Sequence, residues 1–390
     1  MNYSKFTLTR VWKNKFNIIP FILVAMLVIF MYYIDYSSAY GIMQNPQTSG
    51  EKNAEHLKED MLRFEKEMTK YDESSKEYQM AKIDYNMAEN RFTLTKQKLE
   101  AYRSGNWNEY YKNGLELTKI TSHIIENDTA QYNEEFANVL STYIQYDQYM
   151  IDYNLQYDTH FHYIQGVSRM IKVINYNLPI LLTIMLIYIL SSMYCSTYID
   201  NLDMQKLIPL SSIKKQASKL FSGCIVGVSI VLFISVLAIL CGTIGNTFGS
   251  FLSPVQTYHV DGSSTFLPFL SYLPQLLFLL MLSILFIVNL VSVISIFVRK
   301  NMICLLISAI VLIGGVEIIT NISSLYSYLH LLPTTYINTC KIITGELSYM
   351  LNNADVNFVN GVIVLSVSNV VLFLLYAYIQ RILNRKARKV

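Results

Sequence analysis

The chain has 390 residues, 52% of them hydrophobic and only 15% charged, where a soluble protein carries about 25% charged residues. Its formal net charge of +3 hides an asymmetry: residues 36–169 hold 21 Asp and Glu against 14 Lys and Arg, a net of −7, which leaves +10 on the rest. An ordinary soluble fold is excluded, and the basic excess reads as membrane topology rather than a nucleic-acid surface.

Six apolar runs approach the roughly 20 residues that cross a bilayer: 18–33, 173–195, 220–241, 273–297, 302–319 and 362–379. Residues 1–17 precede the first and carry Lys5, Arg10, Lys13 and Lys15. Ser37-Ser38-Ala39 weakly resembles a signal-peptidase site. The run before it is longer than a signal core of about 7–15 residues, so 18–35 is read as a retained first span.

Residues 36–169 read as one antiparallel helical hairpin. Large apolar residues recur every seventh position at Leu57, Phe64, Tyr71, Tyr78, Tyr85, Phe92 and Leu99, a heptad stripe. Ser104-Gly105-Asn106 makes a turn with Trp107 near the tip. A second stripe runs through Phe136, Val139, Tyr143, Tyr146, Met150, Tyr153 and Tyr157. At about 1.5 Å per residue the first helix would reach roughly 70 Å. Gly114 and Asn127-Asp128 are possible interruptions of the second. Half of the chain's 30 tyrosines lie here, filling a thin core with the hydroxyl reaching water. A two-helix hairpin cannot cover such a stripe, so Trp107, Tyr143, Tyr146 and Tyr153 are candidate docking residues.

The second span, 170–198, leads to a basic loop, 199–219. Spans three to six occupy 220–382, with connecting loops 242–272 and 320–361 and a tail at 383–390. The N-terminal stretch, the 199–219 loop, the Arg299-Lys300 turn and the stretch after Ile379 hold 4, 4, 2 and 5 basic residues, 15 in all. The alternate loops hold only Lys341. The positive-inside rule then puts both termini in the cytoplasm and 36–169 outside. The expected fold is an all-α integral membrane protein with six spans and a long extracellular helical hairpin between the first two. The richness in Asn, Ile, Lys and Tyr fits a bacterial plasma membrane.

In the 199–219 loop, Asp203 and Leu207 sit on a predicted short helix that Pro209 breaks. Leu210 follows, Ser211 or Ser212 can cap the next helix, and Lys219 stands where span three begins. This pattern, Leu207-x-Pro209-Leu210-Ser211 with a lysine after it, resembles the coupling loop of type-2 ABC exporter permeases. The six spans, the basic N-terminal stretch with Val11, Trp12 and Phe16, and the outer 331–338 segment resemble that family too. The likeness covers 1–35 and 170–390, not the hairpin. It implies a permease whose 199–219 loop docks on a cytoplasmic ABC ATPase subunit.

The chain has no G-x-x-x-x-G-K-[ST] loop, so ATP and Mg belong to that partner and no cofactor is expected on this chain. Six helices do not enclose a path by themselves, which implies a second permease, identical or related, set among membrane lipid. Glu317, Asn289, Asn321 and Asn369 are polar residues within or beside apolar runs and are candidates for a substrate path or helix interface. Glu317 can equally be a hydrated interface residue near Gly314-Gly315. Five cysteines without a CxxC pair, and histidines outside the spans, point to no metal site. No nucleophile–base pair is visible, so the chain is not read as an enzyme, and it is not expected to bind nucleic acid.

The cargo expected of an exporter with a tyrosine-rich outer segment is amphipathic: a peptide, antibiotic or lipid-like molecule. The alternative is a membrane-anchored coiled-coil interaction protein, such as a secretion-machine component, phage receptor or immunity protein, with a permease-like membrane domain.

Overall fold

The computed structural model describes residues 3–41, 45–127, 134–159, 162–199, 202–203, 211–314 and 322–387. They form two compact units: 1–31, 169–244 and 255–390 in the first, 32–168 and 245–254 in the second.

The first unit begins with helix α1, Tyr3–Lys13, a 3₁₀ turn at Lys15–Asn17, and α2, Ile18–Ala39, whose last turns belong to the second unit. Asn14 takes the Phe16 N–H on its side chain at 3.1 Å, and Asn17 donates to the Val11 carbonyl at 2.9 Å, fixing the corner between the two helices. Val11 is buried, while Trp12 and Phe16 are exposed. That is the pattern of a helix lying at a membrane surface.

Helix α7, Gly166–Lys172, passes through a π turn at Val173–Asn177 into α8, Leu178–Cys195. Pro179 lacks an N–H for the Asn175 carbonyl four residues back, which favours that bulge. The Asn175 side chain accepts from the Tyr272 hydroxyl at 2.8 Å. A tiny β hairpin, β1 at Tyr198–Ile199 and β2 at Leu202–Asp203, precedes α9, Ser212–Gly245. Strands β3, Pro254–Tyr258, and β4, Ser264–Pro268, form a second hairpin. Helix α10, Phe269–Val298, and α11, Asn301–Ala309, follow, and α11 ends in a π turn at Ile310–Gly314. Short helical pieces at Ser323–Leu331, Pro333–Ile337, α12 (Thr339–Ile343) and α13 (Glu346–Met350) lead to α14, Phe358–Ala387.

Among the described residues five helices are long and apolar enough to cross a membrane: Lys15–Ala39, Gly166–Cys195, Ser212–Gly245, Phe269–Val298 and Phe358–Leu383. The sixth expected span, 302–319, is described only over a shorter apolar helix, Asn301–Gly314. The second and fourth of these helices are the core of the unit, with 72% and 61% of their most apolar stretch buried, against 17–28% for the others. The others present apolar faces that only lipid or another apolar surface can cover. Helices α9 and α10 approach closely because Gly223 and Gly227, four apart, carry no side chain. A Cβ there would lie 2.5 Å from Val288 and 2.6 Å from Ile284.

The described residues of the second unit form four long helices rather than the expected two: α3 (Pro46–Met68), α4 (Lys76–Ser104), α5 (Trp107–Asn127) and α6 (Glu134–Asp152). The heptad stripe does not run through one long helix. It breaks at 69–75, where Ser75 caps α4 by accepting the Tyr78 N–H at 3.1 Å and donates to the Asp72 carbonyl at 2.7 Å. Tyr71 lies in the break and is exposed. Helix α3 folds back on α4: Gly50 abuts Leu99, and Glu51 pairs with Arg103 at 2.6 Å. The first helix is therefore 23 residues long, about 35 Å, not a 70 Å arm.

Gly114 does not interrupt α5. It is buried, and a Cβ there would lie 2.9 Å from both Lys98 Nζ and Asp147 Oδ2. Helix α5 ends at Asn127; Asp128 lies outside the described residues.

Candidate functional site

Three amide side chains meet inside the first unit, each from a different apolar helix. Gln216 on α9 donates through Nε2 to Asn289 Oδ1 at 3.2 Å and to Ser292 Oγ at 3.0 Å, both on α10. Asn289 Nδ2 donates to Asn369 Oδ1 on α14 at 2.9 Å, and Asn369 Nδ2 to the Leu282 carbonyl at 3.2 Å. Gln216, Asn289, Ser292 and Asn369 are all buried. The result is one continuous amide chain across three helices. Each such bond inside a membrane contributes about 0.6–2 kcal/mol, and it fixes rotation and register as well. Gln216 Oε1 is buried without a hydrogen-bond partner among the described residues, so the chain holds one unsatisfied acceptor.

One turn along α9, Lys219 is also buried. Its ammonium lies 5.1 Å from the Tyr194 ring and 5.4 Å from the Tyr376 ring. The Tyr194 hydroxyl donates to the Lys219 carbonyl at 3.1 Å. Two aromatic faces thus hold a cation between α8 and α14.

Of the residues singled out in the sequence, Asn289 and Asn369 are brought together. Glu317 and Asn321 lie outside the described residues, as do Leu207, Pro209 and Leu210. Asp203 ends the β1–β2 hairpin, pairing with Tyr198, so the start of the 199–219 loop is strand and not the helix expected there.

Ser211 sits just before α9, its Oγ 3.4 Å from the Lys214 N–H, and Ser212 is the first helical residue. Lys219 lies inside α9, not at a loop end, because α9 begins seven residues earlier. Gln216 was missed: it stands next to Lys214-Lys215 and reads as loop. The Gly223–Gly227 spacing was the legible signal that this helix packs tightly.

In the second unit Trp107 is half-buried in a ring cluster with Tyr102, Tyr110 and Tyr157, at centroid distances of 5.6–6.5 Å. Tyr143 is half-buried as well. Tyr146 is buried, and its hydroxyl donates to the Asp158 carbonyl at 3.3 Å, which makes it a packing residue and not an exposed docking one. Tyr153 is exposed. Burial pushes the Tyr110, Tyr111 and Tyr146 hydroxyls well above their ordinary range.

Among the described residues no group of three His, Cys, Asp or Glu is placed to hold a metal ion. No family model, curated protein or solved structure matches the chain. The five apolar helices and their polar seam define a largely helical, membrane-embedded protein.

Proposed function

We propose that this chain is the membrane subunit of an ATP-driven exporter in a bacterial plasma membrane, with both termini inside and residues 36–169 outside. A separate ABC ATPase binds the 199–219 loop, supplies the ATP and Mg chemistry, and works on a pair of permeases. The cargo is amphipathic.

The observation that carries this reading is the construction of α9. It starts at Ser212, within the basic 199–219 segment, and runs unbroken for 34 residues, about 51 Å. Within its second turn Gln216 is tied through Asn289 to Asn369. A push on the loop therefore moves a rigid rod whose polar grip on two other apolar helices must hold or let go. A hydrogen-bonded seam has such discrete arrangements, which a purely apolar contact lacks.

The test is co-expression with a candidate ATPase subunit. Leu207→Asp and Leu210→Asp should abolish co-purification and any stimulation of ATP hydrolysis, while the chain still inserts. A wild-type chain that recruits no ATPase encoded beside it overturns the proposal.

A second reading has one observation in its favour. Met80, Ile83 and Met87 lie exposed at helical spacing on α4, an apolar stripe suited to a protein partner. On that reading, deleting 53–165 would abolish function while the membrane part serves only as an anchor.

A further inference from the structure

The second unit contains a cleft of about 410 Å³ between the end of α6, the 153–168 segment and the 245–254 loop. That volume is within the range of small-molecule sites, about 300–1,000 Å³. Its walls are built rather than draped. Gly166 and Val167 donate their N–H groups to the Thr247 and Phe248 carbonyls, both at 2.8 Å, and the Tyr149 hydroxyl donates to the Leu252 carbonyl at 2.8 Å. Two of the four non-glycine residues with left-handed backbone among the described residues lie in this wall, Asn154 at φ 48° and Tyr163 at φ 47°. Gly249, also in the wall, has φ 80°. Such conformations cost on the order of 1–3 kcal/mol each for non-glycine residues and concentrate at binding sites.

The chemistry of the lining is specific. Asp158 is the one Asp, Glu, Lys, Arg or His among the described lining residues. Its carboxylate is already engaged: Oδ1 accepts the Thr159 N–H at 2.8 Å and the Ile164 N–H at 3.0 Å, and Oδ2 accepts from the Ser168 hydroxyl. An anionic ligand would lose its hydration here and find no counter-charge among the described lining residues, and the one carboxylate already shares its charge with three donors, which weakens its pull on a cation. What the cleft offers is ring faces and planar amides. Tyr153 is 42% exposed, and its ring is held by stacking on Tyr149 at 4.4 Å. Asn154 and Gln156 flank it, both exposed, and each amide can donate and accept. An extended peptide would want free backbone groups along the wall, and those at 166–167 and 247–248 are bonded to one another.

We propose that this cleft binds an uncharged saccharide, with the C–H face of a sugar ring on Tyr153 and its hydroxyls on the Asn154 and Gln156 amides. The proposal does not depend on transport or on an ATPase.

The experiment uses the full chain in lipid nanodiscs free of sugar detergent, with titration calorimetry. The probes are triacetylchitotriose, maltotriose, the deacetylated and cationic chitotriose, and acetyl-trialanine amide. One of the two neutral trisaccharides should bind saturably. The cationic probe should bind at least about tenfold more weakly than whichever neutral trisaccharide binds, and Tyr153→Ala should weaken binding of that sugar by about tenfold or more. Tyr71→Ala, an exposed tyrosine outside the cleft, should change nothing, and both variants should keep the wild-type melting temperature. Absence of saturable binding by either neutral sugar overturns the proposal. So does equal binding of the cationic probe, full binding by the Tyr153→Ala variant, or tighter binding of the peptide. Every arm runs without ATP or a partner subunit, so its failure leaves the exporter reading untouched.

Discussion

Two buried polar arrangements show how single residues decide what each unit can do. In the first unit, Asn289 works in both directions, accepting from Gln216 and donating to Asn369, so it is the joint of the amide chain. In the second, Lys98 lies over the Tyr110 ring at 4.7 Å, and Asp147 shares with it the space that Gly114 leaves open. Burial raises the Asp147 carboxyl to about 6, and the Lys98 ammonium offsets only part of that. Burial also lowers Lys98, against the pull of Asp147.

The sign follows from linkage. Between 3.8 and about 6 the folded chain keeps a proton that the unfolded chain releases. The stabilising contribution is therefore full below about pH 4, falls as pH rises to about 6, and is flat above that. Its size is at most about 3 kcal/mol. Asp147→Asn should flatten the melting temperature of the full chain between pH 4 and 6. It should not lower stability at neutral pH, because the burial cost of the charged carboxylate exceeds what the Lys98 ammonium returns. A variant whose melting curve keeps the wild-type slope across that interval would show that Asp147 does not titrate there.

At the scale of elements, the break at 69–75 decides the second unit. A heptad stripe states that a helix has an apolar seam, but not whether the seam faces a distant segment or the same stripe folded back. Asp72, Ser74 and Ser75 were legible as turn and cap residues, yet the stripe passing through Tyr71 and Tyr78 outweighs them in any reading by periodicity. What settles the matter is long-range: Gly50 gives Leu99 room, and Glu51 meets Arg103. Neither contact can be read from local spacing.

The consequence is testable in the intact chain. Cysteines at Glu51 and Arg103 should be joined by a short bifunctional maleimide, and a Glu51→Cys, Tyr71→Cys pair should not. Along a single helix running from 51 through 103 the first pair would be about 78 Å apart, so failure to cross-link would restore the long arm. The apolar helices were far more legible, because a run of 20 apolar residues has few other uses. The seam was half legible. Asn289 and Asn369 stand out within apolar runs, whereas Gln216 is hidden beside lysines and is revealed only by where α9 begins.

At the scale of the molecule, function hangs on which side each segment faces, and here the charge distribution argues more strongly than any single contact. Placing a basic residue on the translocated side opposes both insertion and the membrane potential. With 15 Lys and Arg in the four alternate short segments and one, Lys341, in the other two, the inverted orientation would reverse that bias almost completely. Lys341 is itself paired with Glu346 at 3.1 Å, which removes most of its weight as an exception. Arg169 and Lys172, in the first two turns of the second apolar helix Gly166–Cys195, are the two residues that run against this bias. In a cysteine-free background, a cysteine replacing Tyr153 should react with an impermeant maleimide on intact cells. One replacing Lys214 should react only after the membrane is opened. The reverse pattern would place the 199–219 loop outside, where no ATPase can reach it, and would leave the saccharide cleft facing the cytoplasm.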